Sequence, residues 1–186
     1  AYSRAFDLGA VARPTRVGLP AAVMRRILVQ GLETPMSTLV RDAALELLMF
    51  LFGCRASTAV SAGASDLEGT DARMTAVLVH RKGKRTQDPL VLEYDNIPTF
   101  AFSSSRLALL RRLSSMSPTS DEFFALAEEE DLSATTAAHA VAALMSALPP
   151  SVGSPTGCTY SSHSARIGAY NEWLALSFPT PWIMHR

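Results

Sequence analysis

The sequence predicts a mainly α domain with one small antiparallel β-sheet, an α+β fold, and three observations lead there. Apolar residues recur at helical spacing through Leu19–Phe52 and again between Thr119 and Leu148. Only one region, Met74–Tyr94, sets two strand-like runs on either side of a short turn. Finally, 48% of the 186 residues are apolar, which is enough to bury a full core.

Residues 1–18 have mixed polarity and Gly/Pro punctuation, and read as a linker or the tail of something upstream; the domain proper is expected over 19–186. Leu19-Pro20 opens a helical pattern with Val23, Ile27 and Leu28 inward and Arg25 and Arg26 outward, broken by Gly31 to Pro35. From Ser37 or Thr38 a long apolar helix runs through Leu39, Ala43, Leu47 and Phe50. Its exposed side is expected to carry Arg41, Asp42 and Glu46. After Gly53 a short helix is expected to hold Arg55, Ala59 and Ala62, with Gly63 ending it.

Met74–His80, rich in Val and Thr, reads as a strand and Pro89–Tyr94 as its partner, with the basic turn Arg81–Gln87 between them. Arg106–Leu113 reads as a helix. Thr119-Ser120-Asp121-Glu122 has capping-box spacing for another, and a third starts near Ser133 or Thr135 and closes at Pro149-Pro150. In that last helix His139 reads as a core or boundary residue. Residues 152–158 form a Gly/Pro/Ser loop leading to His163.

Composition excludes several classes. The longest apolar runs, around Ala43–Cys54 and Ala137–Leu148, are shorter than the roughly 20 residues of a membrane span. No signal peptide is visible, and with both cysteines read as reduced an intracellular protein is expected. Cys54 and Cys158 match no zinc-ligand spacing and are read as reduced thiols. The formal charge is zero, yet Asp121–Asp131 concentrates six acids with no base. The remainder carries 17 bases against 11 acids, a net of +6, which leaves room for a basic face.

Two segments carry the candidate chemistry. His163 and Arg166 are three residues apart and share a face if the segment is helical, with Ser161 or Ser162 as N-cap. A helix N-terminus favours phosphate, and an arginine fork grips two phosphate oxygens at once. Arg55 lies between the apolar run Leu47–Phe52 and the small residues Ala56, Ala59 and Ala62, so a guanidinium tucked there needs a partner. Phosphate is one; a carboxylate such as Asp66 or Glu46 is the other. Lys82 and Lys84 stand at the turn, where a lysine reaching into a site can donate a proton.

Taken in order, these segments resemble the catalytic domain of the tyrosine recombinase (phage integrase-like) family, from about Leu19 to Arg186. Phe50-Leu51-Phe52-Gly53-Cys54-Arg55-Ala56-Ser57 looks like the approach to the family's first catalytic arginine. Lys82-Gly83-Lys84 within its hairpin looks like the catalytic lysine turn, with Lys82 the better match. Ser162-His163-Ser164-Ala165-Arg166-Ile167-Gly168 looks like its HxxR box.

The resemblance implies a DNA breaking-rejoining catalytic core that acts on double-stranded DNA, without cofactor, metal or membrane, as a homo-oligomer on its substrate. It implies catalytic roles for Arg55, Lys82, His163 and Arg166, and DNA-backbone contacts for Arg81, Lys84 and Arg85. It also implies site-specific recombination or integration through a tyrosine that attacks the phosphodiester. Two departures stand out. Thr58 occupies a position that is often acidic in the family. Only 20 residues follow Arg166, so the third His/Trp and the nucleophilic tyrosine are expected beyond this chain, which reads as incomplete at its C-terminus. Tyr2, Tyr94, Tyr160 and Tyr170 are read as structural or surface residues. Two other readings stay open: an inactive DNA-binding remnant of a mobile element, and a helical interaction module with structural arginines.

Overall fold

Leu19 and Pro20 turn the chain into its first helix, and the computed structural model shows how the rest is arranged around a second. It describes residues 15–60, 62, 67–69, 74–78, 90–94, 115, 139, 143–144, 158–161 and 163–177. In chain order the elements are β1 (Thr15–Arg16), α1 (Ala21–Glu33), α2 (Ser37–Phe52), α3 (Ala56–Ala59), β2 (Leu67–Gly69), β3 (Met74–Leu78), β4 (Leu90–Tyr94), β5 (Cys158–Thr159) and α4 (Ser164–Ala175).

The ends of α1 are set by two prolines. Pro20 occupies the N-cap with φ −65° and ψ 147°, where its missing N–H costs nothing. Pro35 forces Thr34 into an extended conformation, ψ 140°, and so stops the helix. Gly31 does not break α1 as expected; it is buried within the helix. One glycine costs a helix only about 1 kcal/mol, and the apolar face of Val23, Met24, Ile27 and Leu28 outweighs that.

α2 is the centre of the core. Every residue from Val40 to Phe52 is buried, so the exposed side expected at Arg41, Asp42 and Glu46 does not exist. The expectation assumed a helix with one solvated face, whereas α2 is covered all round. Arg41 meets its neighbour's charge inside: Nε and Nη2 both donate to Asp42 Oδ1 at 3.0 Å. α1 and α4 both pack against α2, and with them Leu19 and Trp173 join the same core.

Two sheets accompany the helices. β1 pairs in parallel with β5, Thr15 opposite Cys158 and Arg16 opposite Thr159, which ties the end of the expected linker to the segment leading into α4. β3 pairs antiparallel with β4, Met74 opposite Tyr94 through Leu78 opposite Leu90, and β2 lies on the other edge of β3. The chain between β3 and β4, and the helices expected at Arg106–Leu113 and from Thr119, lie outside the described residues. His139 is helical and exposed, so of the core and boundary placements expected for it the core one does not hold; Leu144 is buried.

α4 is held against the start of the fold by a backbone contact. Leu19 N–H donates to the Ser164 carbonyl at 2.8 Å. A Cβ on Gly168 would overlap the Leu19 carbonyl oxygen, so the glycine is what lets the helix approach. Gly168→Ala is therefore expected to destabilise the chain by about 2 kcal/mol or more in denaturant melts, because backbone cannot move aside as a side chain can. Unchanged stability would contradict this packing.

Glu46 is the second test of the core. It is fully buried, and neither carboxylate oxygen has a hydrogen-bond partner. Burial pushes its carboxyl from the ordinary 4.5 up to about 8. At neutrality the folded chain thus holds a proton that the unfolded chain has released, and stability falls as pH rises from about 4.5 to about 8. Glu46→Gln is expected to remove that part of the decline, on the order of a few kcal/mol between pH 5 and pH 8, in melts compared across the range.

Candidate functional site

The site is built where α2 ends. Gly53 terminates that helix in the left-handed region, φ 57° and ψ 22°, a conformation that suits glycine. A Cβ there would stand 2.7 Å from Trp173 Cη2 and 3.2 Å from Tyr170 Cε1. The turn leaving α2 thus lies directly on the face of α4 that carries Tyr170 and Trp173. Arg55 follows two residues later, and Arg166 sits one turn before Tyr170.

Arg55 occupies the N-cap of α3, with φ −85° and ψ 156°; its carbonyl accepts the N–H of Thr58 and of Ala59, each at 2.9 Å. Its side chain is exposed, which corrects the expectation of a guanidinium tucked beside the core. Extended backbone at the cap turns the side chain out of the helical stack that would have buried it. The alternative pairing with Glu46 is not made, since both Glu46 oxygens are without hydrogen-bond partners. Asp66, the other candidate carboxylate, lies outside the described residues.

His163 occupies the N-cap of α4 and is exposed. The helix therefore starts one or two residues later than the N-cap expected at Ser162 or Ser161, because Ser161 builds a local turn ahead of it. The Ser161 carbonyl accepts from Ser164 N–H at 2.8 Å, and Ser161 Oγ accepts from His163 N–H at 3.3 Å. In return Ser161 N–H donates to Ser164 Oγ at 2.9 Å. These bonds fix the entry of the helix and leave the imidazole outward.

Arg166 is half-buried on the first turns of α4. Its Nε donates to Tyr170 Oη at 2.9 Å and its Nη2 to the same oxygen at 2.7 Å. Its guanidinium carbon lies 5.2 Å from the centre of the Tyr170 ring. The Tyr170 ring in turn lies 5.3 Å from that of Trp173, which is buried. The four-residue spacing on one helix face is legible in the sequence and fits the structural reading of Tyr170; that its hydroxyl accepts from the arginine is not.

Cys54 sits between the two arginine-bearing elements. Burial pushes its thiol up to about 12, with the nearby Arg166 charge pulling the other way and Glu46 adding to the rise. Its Sγ–H faces the Leu48 carbonyl at 3.8 Å. Cys54 is thus an unreactive packing residue; both cysteines are free thiols.

Lys82, with Arg81, Lys84 and Arg85, lies outside the described residues. Among the described residues no helix is long and apolar enough to cross a membrane.

No protein-family model matches the chain, and no curated protein matches it in sequence. Solved structures do. The XerH site-specific recombinase bound to difH substrate, in a pre-cleavage complex, superposes with a TM-score of 0.63 at 12% identity over 92% of this chain. A lambda integrase dimer bound to a COC′ core site gives 0.61 at 16% identity over 95% of the chain, and a second such dimer 0.63 at 17% over 95%. The chain spans 46%, 45% and 58% of those three structures, about half their length. At such identities the likeness is one of fold: this chain is folded as the corresponding half of the site-specific recombinases and integrases is.

Proposed function

We propose that this chain is the phosphate-gripping part of a tyrosine recombinase catalytic domain, which cleaves and rejoins strands of double-stranded DNA in site-specific recombination. The observation that carries the reading is the lock between Gly53, Tyr170 and Trp173. It holds the turn bearing Arg55 against the helix bearing Arg166. Two guanidinium groups on facing elements, one exposed and one half-buried, suit an anion far better than each other. The fold shared with a recombinase on its substrate and an integrase dimer on a core site supports DNA as the partner and a homo-oligomer as the working form.

In this reading Arg55 and Arg166 neutralise the charge that grows on the non-bridging phosphoryl oxygens as a nucleophile adds. His163, at the mouth of α4, donates a hydrogen bond to the same group or assists the proton leaving the nucleophile. Lys82 protonates the departing 5′-oxygen. The attacking tyrosine becomes linked to the 3′-phosphate, and the bond energy is retained for rejoining by another 5′-hydroxyl. Arg81, Lys84 and Arg85 hold the backbone and confer salt-dependent affinity. None of the chain's four tyrosines is assigned as the nucleophile; the Tyr170 hydroxyl is engaged with Arg166.

The test is duplex binding measured beside thermal unfolding. Arg55→Ala and Arg166→Ala are each expected to weaken binding about tenfold or more, the size of a charge-assisted hydrogen bond. Each is also expected to flatten the dependence of log K on log salt by about one unit. Arg55→Ala leaves the unfolding temperature unchanged, since the side chain is exposed. Unaltered affinity together with lower stability in both variants would instead make the arginines structural and the chain an interaction module.

A further inference from the structure

Tyr170 has a role that its position one turn beyond Arg166 makes specific. A guanidinium carries five N–H groups in a rigid plane and has two edges able to engage a pair of acceptors. One is the side edge of Nε and Nη2; the other is the end edge of Nη1 and Nη2. Tyr170 Oη accepts from both nitrogens of the side edge. Three N–H groups remain: one on Nη1 faces the Cδ side, and the other on Nη1 and one on Nη2 point along the end edge. That edge has the fork geometry that fits two oxygens of one phosphate.

The hydroxyl is itself fixed. The Tyr170 ring packs against the Trp173 ring and lies over the turn at Gly53, so its hydroxyl is placed by the end of α2. The same turn that leads to Arg55 therefore also sets the aim of Arg166. An arginine side chain is otherwise among the most freely rotating of all, and a pre-aimed fork binds more tightly than one that must be ordered on contact.

We propose that Tyr170 is a positioning residue: it occupies the side edge of Arg166 so that the end edge is presented to a backbone phosphate of DNA. This rests on the proposed phosphate role of Arg166, and the experiment keeps the two apart. Wild type, Tyr170→Phe, Arg166→Ala and the double variant are titrated with one short labelled duplex at fixed salt, with unfolding temperatures measured for all four. Phenylalanine keeps the ring contacts with Trp173 and Gly53 and removes only the acceptor.

Tyr170→Phe is expected to weaken binding about three- to tenfold in the Arg166 background and less than about 1.5-fold in the Arg166→Ala background, with an unchanged unfolding temperature. The slowly exchanging Nε–H signal of Arg166 in nitrogen-15 spectra is expected to disappear with it. Equal losses in both backgrounds would make Tyr170 structural and overturn the proposal. Loss from Arg166→Ala with none from Tyr170→Phe overturns it while leaving the arginine's role intact. Full affinity in Arg166→Ala overturns both. A covalent DNA adduct mapped to Tyr170 would make it a nucleophile instead.

Discussion

Gly53 leaves α2 at φ 57°, and the space where its side chain would stand is filled by the Trp173 ring. Two constraints meet there. The backbone must turn left-handed, and it must lie flat on an aromatic surface; only glycine satisfies both without strain. Because the contact involves the last turn of one helix and the middle of another, it fixes more than a helix end. It sets where Arg55 emerges, holds the ring of Tyr170, and through the Tyr170 hydroxyl aims Arg166. Gly168 acts similarly within the same helix as Tyr170 and Trp173, letting the Leu19 backbone lie against it.

The central helix makes this precision possible and carries an electrostatic burden. α2 is covered on all sides, yet it includes Arg41, Asp42 and Glu46. The first two meet as an ion pair inside the protein, an arrangement whose desolvation cost can rival its attraction. Glu46 has no such counterpart and avoids the cost by holding its proton. The site's own charges are disposed oppositely. Arg55 and His163 face solvent and Arg166 is half-buried, so each is within reach of a ligand.

Much of this was legible in the sequence, for reasons that can be named. Pro35 and Gly53 mark helix ends by chemistry that acts within one or two residues, and both ends fall where those residues predict. The order of the arginine and histidine motifs implied a fold, and the solved recombinase and integrase structures share it. Contacts that depend on what lies opposite were hidden. A helix with charges at Arg41, Asp42 and Glu46 looks one-sided until its neighbours are known. The β1–β5 pairing joins two residues to two others across the length of the chain, with no local pattern to announce it. Arg55 was misjudged because an N-cap and a first helical turn differ by one residue and by opposite exposure. For Tyr170 the spacing shows a face shared with Arg166 but not which groups on it bond.

The account's central claim is that Arg55 and Arg166 serve one anion. A crystal structure of the chain soaked with tungstate or vanadate, oxyanions of phosphate shape, tests this most directly. A single oxyanion within hydrogen-bond distance of both guanidinium groups, taken by Arg166 through its Nη1–Nη2 edge, is the predicted result. Two ordered arginines pointing to different sides of the molecule, each with its own anion or none, would contradict it.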